Sequence, residues 1–119
     1  MEIKFENAPG TLIVRVAGDL RLWGHAPEEA RLTGLIRAQE NLPPRVVVNM
    51  SGITRLDTAG IASLIRIPIE AARRNAEVRV ILPPGVPGQA LHQLHVFEAW
   101  PNFADEAAAV RGTAASSAA

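Results

Sequence analysis

The four-residue turn Asp57–Gly60 places a carboxylate, a hydroxyl and a glycine at the predicted start of a helix. It follows the apolar run Arg45–Met50, and functional residues of an open α/β sheet usually lie beyond the carboxyl end of such a strand. The hydroxyl of Thr58 is well placed to host a phosphate, because free backbone N–H groups and the helix dipole favour negative charge at a helix start. Side-chain caps are common at helix starts, so the alternative is a purely structural turn, with Gly60 permitting close packing.

The remaining residues form no recognisable catalytic motif. Asp57-Thr58 is similar to the start of the Asp-Thr-Gly motif of aspartic proteases, but Ala59 precedes the glycine and no second copy exists. Gly85 and Gly88 are split by prolines and are followed by no Lys, so they do not form a phosphate-binding loop. No serine lies in a nucleophile-elbow motif. We therefore expect no enzymatic activity and no cofactor.

Two histidines, His92 and His95, are three residues apart on a predicted helix and could share a metal ion. The alternative is that one faces solvent and the other packs at the edge of the helix. Two ligands without a third rarely make a site, so we expect no tight metal binding. The sequence contains no Cys, which excludes disulfides and thiolate ligands.

The composition indicates a single small domain. At 119 residues with 48% hydrophobic residues, the chain is long enough for one core, which must consist of Leu, Ile, Val and Ala because aromatics are scarce. Twelve basic residues balance 12 acidic ones, which argues against nucleic acid as the partner. Low net charge also makes self-association easier and leaves a homodimer open.

The apolar segments are too short for a membrane protein. No run approaches the roughly 18–20 apolar residues that cross a bilayer, so we expect no membrane insertion. The opening segment Met1–Glu6 alternates charged and apolar residues and lacks the centre of a signal peptide. We therefore expect the protein in the cytoplasm.

The first half of the chain predicts a hairpin and a helix. Alternation at Ile3 and Phe5, a turn at Asn7–Gly10 and alternation over Leu12–Ala17 predict two antiparallel strands. Proline at the first position and acidic residues in the first turn favour a helix over Pro27–Glu40.

The second half predicts alternating strands and helices. The run Arg45–Met50 is typical of a strand that is covered on both faces. A long helix begins at Asp57 or Thr58, is kinked by Pro68 and ends near Asn75. The remaining predicted segments are a strand over Glu77–Leu82, a helix over Gly88–Leu94, a last strand or irregular packed segment at Val96–Trp100, and a helix over Asp105–Arg111.

This pattern predicts an α/β fold in the order ββαβαβαα, with a mostly parallel or mixed sheet of four to five strands. The domain should span residues 1–111. Residues 112–119, rich in Ala and Ser, predict a flexible tail.

Motifs spread over about Ile3 to Val110 resemble the STAS domain family, which includes anti-sigma-factor antagonists and sulfate transporters. The strand Val46–Met50 followed by Leu56–Ile65 is similar to the family's strand, Asp-Ser-Ser-Gly turn and apolar helix. Gly18–Leu20 resembles the family's Gly-Glu-Leu, and Phe97–Ala107 resembles the antagonist tail. The resemblance implies a STAS-like single domain.

The resemblance also implies a function. In antagonists, the hydroxyl residue after the Asp is phosphorylated by an anti-sigma factor that is also a kinase, and the unmodified form binds that factor. By position, Thr58 is the expected phosphoacceptor. A phosphate beside Asp57 would eject the partner by repulsion and desolvation. The expected partner-binding residues are Arg21, Trp23, Leu56, Asp57, Ala59, Gly60 and Ile61.

Several residues depart from the family pattern. Thr58 and Ala59 replace two serines, and Arg21 stands where antagonists usually have an Asp. Arg21 could pair with a phosphate on Thr58. Trp23 is expected either at the docking surface or buried under the first helix.

A second resemblance is to the small STAS subunit of lipid-asymmetry ABC transporters, which docks on an ATPase subunit. The segment Arg55–Thr58 resembles that subunit's turn. The segment Phe97–Arg111 favours the antagonist instead, because the transporter subunit usually ends sooner. A third class, a degenerate enzyme or small-ligand binder, has no supporting motif.

Overall fold

The computed structural model describes residues 1–112, so residues 113–119 of the predicted tail lie outside it. The elements are β1 (Glu2–Ala8), β2 (Thr11–Leu20), α1 (Ala26–Thr33), β3 (Arg45–Leu56), α2 (Thr58–Leu64), α3 (Arg66–Arg73), β4 (Glu77–Ile81), α4 (Gly85–Gln93) and α5 (Glu106–Arg111).

The four strands form one mixed sheet in the order β1-β2-β3-β4. β1 and β2 form the predicted antiparallel hairpin, and their turn uses Gly10 with a positive φ of 65°. β2 pairs with β3, and β3 with β4, in parallel. The carboxyl ends of β2, β3 and β4 therefore meet at one edge of the sheet.

β3 is longer than predicted, because it continues past Met50 to Leu56. The polar residues of this extension suggested a loop, yet they pair with the end of β2, where Leu56 lies opposite Leu20. Gly52 makes the pairing fit, since a Cβ there would lie 2.8 Å from the Cβ of Ala17. The extension carries Asp57 to the level of the loop that follows β2.

The first helix is shorter than predicted. α1 ends at Thr33, and Gly34 is its C-cap rather than an interior residue. The chain continues in irregular turns, in which the N–H of Ala38 donates to the carbonyl of Gly34 over 3.0 Å. Leu32, Leu35 and Ile36 are nevertheless all buried in the core.

The second helix is divided rather than kinked. α2 ends at Leu64 and α3 begins at Arg66, with Ile65 between them. The cause is Pro68, which lacks the N–H that would donate to the carbonyl of Leu64 four residues earlier. The observed order is therefore ββαβααβαα, one helix more than predicted.

Helices cover both faces of β3. On one face Val46 and Val48 join the main core beneath α1, α2 and α3, and on the other Val47 packs with Phe103 and Ala109 under α5. This confirms the prediction of a central strand that is buried on both sides.

The C-terminal segment decides between two alternatives and corrects one helix boundary. Residues 96–100 form turns with Phe97 buried, so the alternative of an irregular packed segment is confirmed and that of a last strand is wrong. Strand-like pairing occurs later instead, where the N–H of Phe103 donates to the carbonyl of Val80 over 2.9 Å. α4 also begins at Gly85, three residues before the predicted start.

Candidate functional site

Asp57 connects two segments that are far apart in sequence. It is the N-cap of α2, and its Oδ1 accepts from the N–H of Gly60 over 2.8 Å. The same carboxylate accepts from the N–H of Leu22 and of Trp23, each over 2.9 Å. The carboxylate thus fixes the loop after β2 against the start of α2.

The hydrogen bonds set the charge state of this carboxylate. Partial burial raises the pKa of the Asp57 carboxyl, but the N–H groups of Gly60, Trp23 and Leu22 together outweigh burial and leave the pKa below its ordinary value. Asp57 is therefore a fixed negative charge at neutral pH.

Gly60 is required because the start of α2 lies very close to the end of β2. A Cβ on Gly60 would lie 2.0 Å from the carbonyl oxygen of Leu20, well inside contact distance. Gly60 itself is buried in the first turn of α2. The glycine therefore lets the start of α2 sit directly on the end of β2.

Thr58 is the exposed residue of the turn, while its neighbours are partly covered. Leu56, Ala59 and Ile61 are half-buried and pack against the main core. The Thr58 side chain makes no hydrogen bond within residues 1–112, because Asp57 alone provides the cap. Its hydroxyl is therefore free to react or to contact another molecule.

Trp23 is anchored by its backbone and leaves its ring in solvent. Its side chain is 84% exposed, although its N–H is bound to Asp57. The alternative of burial under the first helix is wrong. Trp23 and the Thr58 turn lie at the same edge because β2 and β3 are parallel neighbours.

Arg21 reaches this edge but pairs with Asp19 rather than remaining free. Its Nε lies 2.9 Å from Oδ1 of Asp19, whose Oδ1 also accepts from the backbone N–H of Arg21. These bonds lower the pKa of Asp19 to about 2. Asp19 takes Nε and Nη2 of Arg21, so a phosphate on Thr58 would have to share the guanidinium with Asp19.

The structure thus brings all the predicted site residues to one edge and adds partners that the sequence did not indicate. Asp19 and Leu22 hold the loop through contacts with Arg21 and Asp57. Asp19 belongs to the Gly18–Leu20 motif, and that motif was the available signal.

The two histidines form no larger cluster. The rings of His92 and His95 are 6.4 Å apart, and Nδ1 of His95 lies 2.6 Å from a carboxylate oxygen of Glu98. The described part of the chain contains no group of three or more His, Cys, Asp or Glu side chains arranged to hold a metal ion. Within residues 1–112, no helix has both the length and the apolar character needed to cross a bilayer.

This mixed sheet, with helices on both faces and a capped turn beyond β3, defines a STAS-type domain. A family described as "Mlab, STAS domain" matches residues 3–98, so the chain belongs to the STAS domain family. No curated protein shows significant similarity to it.

Solved structures share the fold at low sequence identity. An anti-sigma factor antagonist from Mycobacterium paratuberculosis matches with a TM-score of 0.72 and 16% identity, covering 93% of this chain and 92% of that one. The anti-sigma factor antagonist SpoIIAA in its unphosphorylated form matches with a TM-score of 0.58 and 12% identity, covering 93% and 96%. A sulfate transporter family protein from Wolinella succinogenes matches with a TM-score of 0.64 and 18% identity, covering 79% and 74%.

Proposed function

We propose that the protein is an anti-sigma-factor antagonist, a non-enzymatic cytoplasmic module that sequesters an anti-sigma factor with Ser/Thr kinase activity. Phosphorylation of Thr58 controls the binding. The observation that carries the proposal is the free, exposed hydroxyl of Thr58. It lies next to the Asp57 carboxylate that fixes the loop after β2, and at the same edge as the exposed Trp23 ring. Fold likeness to anti-sigma factor antagonists supports the same reading.

In the proposed switch, this chain supplies only the acceptor. Oγ1 of Thr58 bonds to the γ-phosphorus of ATP, the bond to the bridging oxygen breaks, ADP leaves, and a base of the kinase takes the hydroxyl proton. The product carries roughly −1.5 to −2 extra charges at neutral pH.

The surroundings of Thr58 favour release after phosphorylation. The charge of Asp57 lies next to the modified residue, and Asp19 is paired with Arg21, which is the cation among the predicted site residues. Among the predicted site residues, a phosphate would therefore find no cation that is free of a carboxylate partner. Interface cores normally exclude such groups, because desolvation is not repaid.

Two substitutions at Thr58 test the switch. We expect Thr58→Glu to weaken binding by roughly 2–4 kcal/mol, about thirty-fold to nearly a thousand-fold, because an unpaired carboxylate must be desolvated. Thr58→Ala should bind almost normally, since it leaves no charge. The measurement is calorimetric titration against a purified anti-sigma-factor kinase of the same genome.

Ala107→Glu is the matched control, because it adds the same charge to the exposed first turn of α5 on the other face of the sheet. It should bind like the unsubstituted protein. Equal affinities for Thr58→Glu and the unsubstituted protein would place the turn outside the interface and remove the switch.

The matching family favours a second candidate function, since its description names Mlab. In that role the same turn docks on the ATPase subunit of a lipid-asymmetry ABC transporter. Mass spectrometry of the protein purified from its native cell separates the two. An anti-sigma factor associated with the unmodified form, together with phosphate on Thr58 in the unbound fraction, supports the first function, whereas an associated transporter ATPase and no phosphate on Thr58 in either fraction supports the second.

A further inference from the structure

The two edge strands of the sheet, β1 and β4, differ in what lies along their outer sides. Val80 of β4 donates its N–H to the carbonyl of Pro101 and accepts from the N–H of Phe103, each over 2.9 Å. Within residues 1–112, β1 has β2 as its one neighbouring strand, and no other segment forms a backbone hydrogen bond with it. The outer edge of β1 is therefore open to a strand of another molecule.

The hairpin turn determines which backbone groups of β1 point outward. Two residues separate Ala8 from Thr11, so this closing pair exchanges both of its N–H···O bonds. Hydrogen-bonded and non-hydrogen-bonded pairs then alternate along the antiparallel ladder. The backbone N–H and C=O groups of Ile3, Phe5 and Asn7 therefore face away from β2 and are available to an added strand.

One face of β1 is apolar and lies beside α1. The Phe5 side chain is 45% exposed, and together with Ile3 it lines a groove of about 340 Å³ between β1 and α1. Ala30 and Leu35 form part of the opposite wall of this groove. The Phe5 ring is therefore an exposed apolar group directly beside the open strand edge.

The other face of β1 carries charges that alternate in sign. Glu2, Lys4 and Glu6 follow one another along this face, because successive side chains of a strand point to opposite sides. Lys4 and Glu6 are 69% and 55% exposed, although they pair with Glu2 and Arg15 of the same chain. Both charges can therefore reach a strand that is added at this edge.

We propose that β1 pairs antiparallel with β1 of a second copy of the chain, which joins the two four-stranded sheets into one. A register centred on Phe5 overlaps all seven residues of the strand. It places the two Phe5 residues opposite each other, and Lys4 of each copy opposite Glu6 of the other. Aromatic pairs and opposite-charge pairs across antiparallel strands are both stabilising.

The sequence of β1 selects this register among those that pair the outward backbone groups. Centred on Lys4, the pairing would place Lys4 opposite Lys4 and Glu2 opposite Glu6, and centred on Glu6 it would place Glu6 opposite Glu6. Like charges in these positions oppose association. Centred on Ile3, it would match opposite charges but overlap only residues 2–4 of the strand. Full overlap and matched charges therefore coincide in the register centred on Phe5, and this makes a second copy the fitting occupant.

The pairing leaves the Thr58 turn of both copies free. Its two-fold axis is perpendicular to the sheet, so the two Phe5 rings lie side by side on the face that carries α1 in each copy. The carboxyl ends of β2 and β3 point in opposite directions in the two copies, so the two Thr58 turns lie at opposite ends of the joined sheet. The inference therefore does not depend on the proposed function.

The first test reverses one charge at a time and then mixes the variants. Sedimentation of the unsubstituted protein over a range of concentrations should show a monomer–dimer equilibrium. Lys4→Glu and Glu6→Lys each place like charges opposite each other, twice per dimer, and should each weaken dimerisation about tenfold or more. An equimolar mixture of the two variants should form a heterodimer about as stable as the unsubstituted dimer, because every facing pair again has opposite charges. Recovery in the mixture also shows that both variants are folded.

The second test changes the centre of the pairing. Phe5→Lys places two like charges side by side and removes both aromatic rings, so it should weaken dimerisation at least tenfold. Leu94→Lys is the matched control, because Leu94 is another large apolar residue and is 60% exposed at the end of α4. It should leave the dimer dissociation constant within twofold.

Three results would overturn the inference. The first is a protein that stays monomeric at every concentration up to about 0.5 mM. The second is a dimer that persists unchanged in Lys4→Glu or Phe5→Lys, since another surface would then form it. The third is loss of the dimer in both charge variants without recovery in their mixture, since Lys4 and Glu6 would then not face each other. Thr58→Glu should dimerise like the unsubstituted protein, so a failure of the proposed switch is measured separately.

Discussion

Helices α2 and α5 begin with the same local structure but differ in what surrounds it. Asp57 accepts from the N–H of Gly60 over 2.8 Å, and Asp105 accepts from the N–H of Ala108 over 2.8 Å. Both caps have extended backbone conformations. On the capping geometry alone, the two helix starts cannot be told apart.

The difference lies in the contacts beyond the cap. Asp57 also binds the loop after β2, whereas Asp105 makes no further side-chain hydrogen bond within the described residues. The residue after Asp57 is Thr58, whose hydroxyl is free. The residue after Asp105 is Glu106, which binds Nε of Arg15 over 2.6 Å and so attaches α5 to the sheet.

This comparison shows why a helix cap is not by itself a site. Glu106, the acidic residue at the start of α5, has a structural role because it binds Arg15. Arg15 lowers the pKa of Glu106 against the opposing effect of burial. At α2 the cap residue Asp57 makes all the side-chain contacts that hold the helix start, so the next residue, Thr58, has no structural role. Because Asp57 alone has the structural role, Thr58 is available to a partner.

The third residue of each helix gives the largest expected difference. Gly60→Ala would place a Cβ 2.0 Å from the carbonyl oxygen of Leu20, so the end of β2 must move away. We expect a loss of about 3 kcal/mol or more in the free energy of unfolding. Ala108→Gly, the reverse change in α5, should cost about 1 kcal/mol. Urea unfolding measures both, and similar losses would show that the start of α2 is not packed as tightly as described.

The two caps themselves should differ by a smaller amount. Asp57→Ala removes one cap bond and leaves the N–H groups of Leu22 and Trp23 without their acceptor, so we expect a loss of about 2–3 kcal/mol. Asp105→Ala removes a single cap bond and should cost about 1 kcal/mol. Urea unfolding tests this, and amide hydrogen exchange should quicken at residues 22–23 only in Asp57→Ala. Unchanged exchange at residues 22–23 would contradict the hydrogen bonds from Leu22 and Trp23 to Asp57.

The effect of Asp57 should depend on pH with a defined sign. Because the pKa of Asp57 is lower in the folded state, its stabilisation is present above its unfolded pKa of about 3.9 and is lost as the pH falls through the folded value. The stability gap between the unsubstituted protein and Asp57→Ala should hold from pH 7 to about 4 and narrow below it. Urea midpoints at pH 7, 5 and 3 provide the check. A gap that widens in acid would contradict the lowered pKa.

Local patterns predicted most of the fold. The apolar run at Val46–Val48 indicated a strand that is buried on both faces, and both faces are covered. Errors arose where a tertiary contact decides the local structure. The end of β3 was not predicted, because its residues are polar and it forms a strand only through pairing with β2. The end of α1 was predicted too late, because Gly34 ends the helix within the segment predicted to be helical.

The site was predictable in its residue types but not in its contacts. Asp57 was expected as a cap, yet its bonds to Leu22 and Trp23 join positions 34 or more residues apart, which no local pattern encodes. Arg21 was considered as a partner for a phosphate on Thr58, and its pairing with Asp19 depends on the backbone geometry at the end of β2.

The smallest expected effect is at the residue that follows each cap. Thr58→Ala should change the free energy of unfolding by less than about 0.5 kcal/mol, because the side chain is exposed and alanine favours a helix slightly more. Glu106→Ala should cost about 1–2 kcal/mol, since it removes charge-assisted bonds to Arg15 and Asn49. Thermal melts and urea unfolding of the two variants give the comparison directly. A large loss in Thr58→Ala would mean that Thr58 is a structural residue like Glu106, and a residue held in that way could not serve as a freely modified switch.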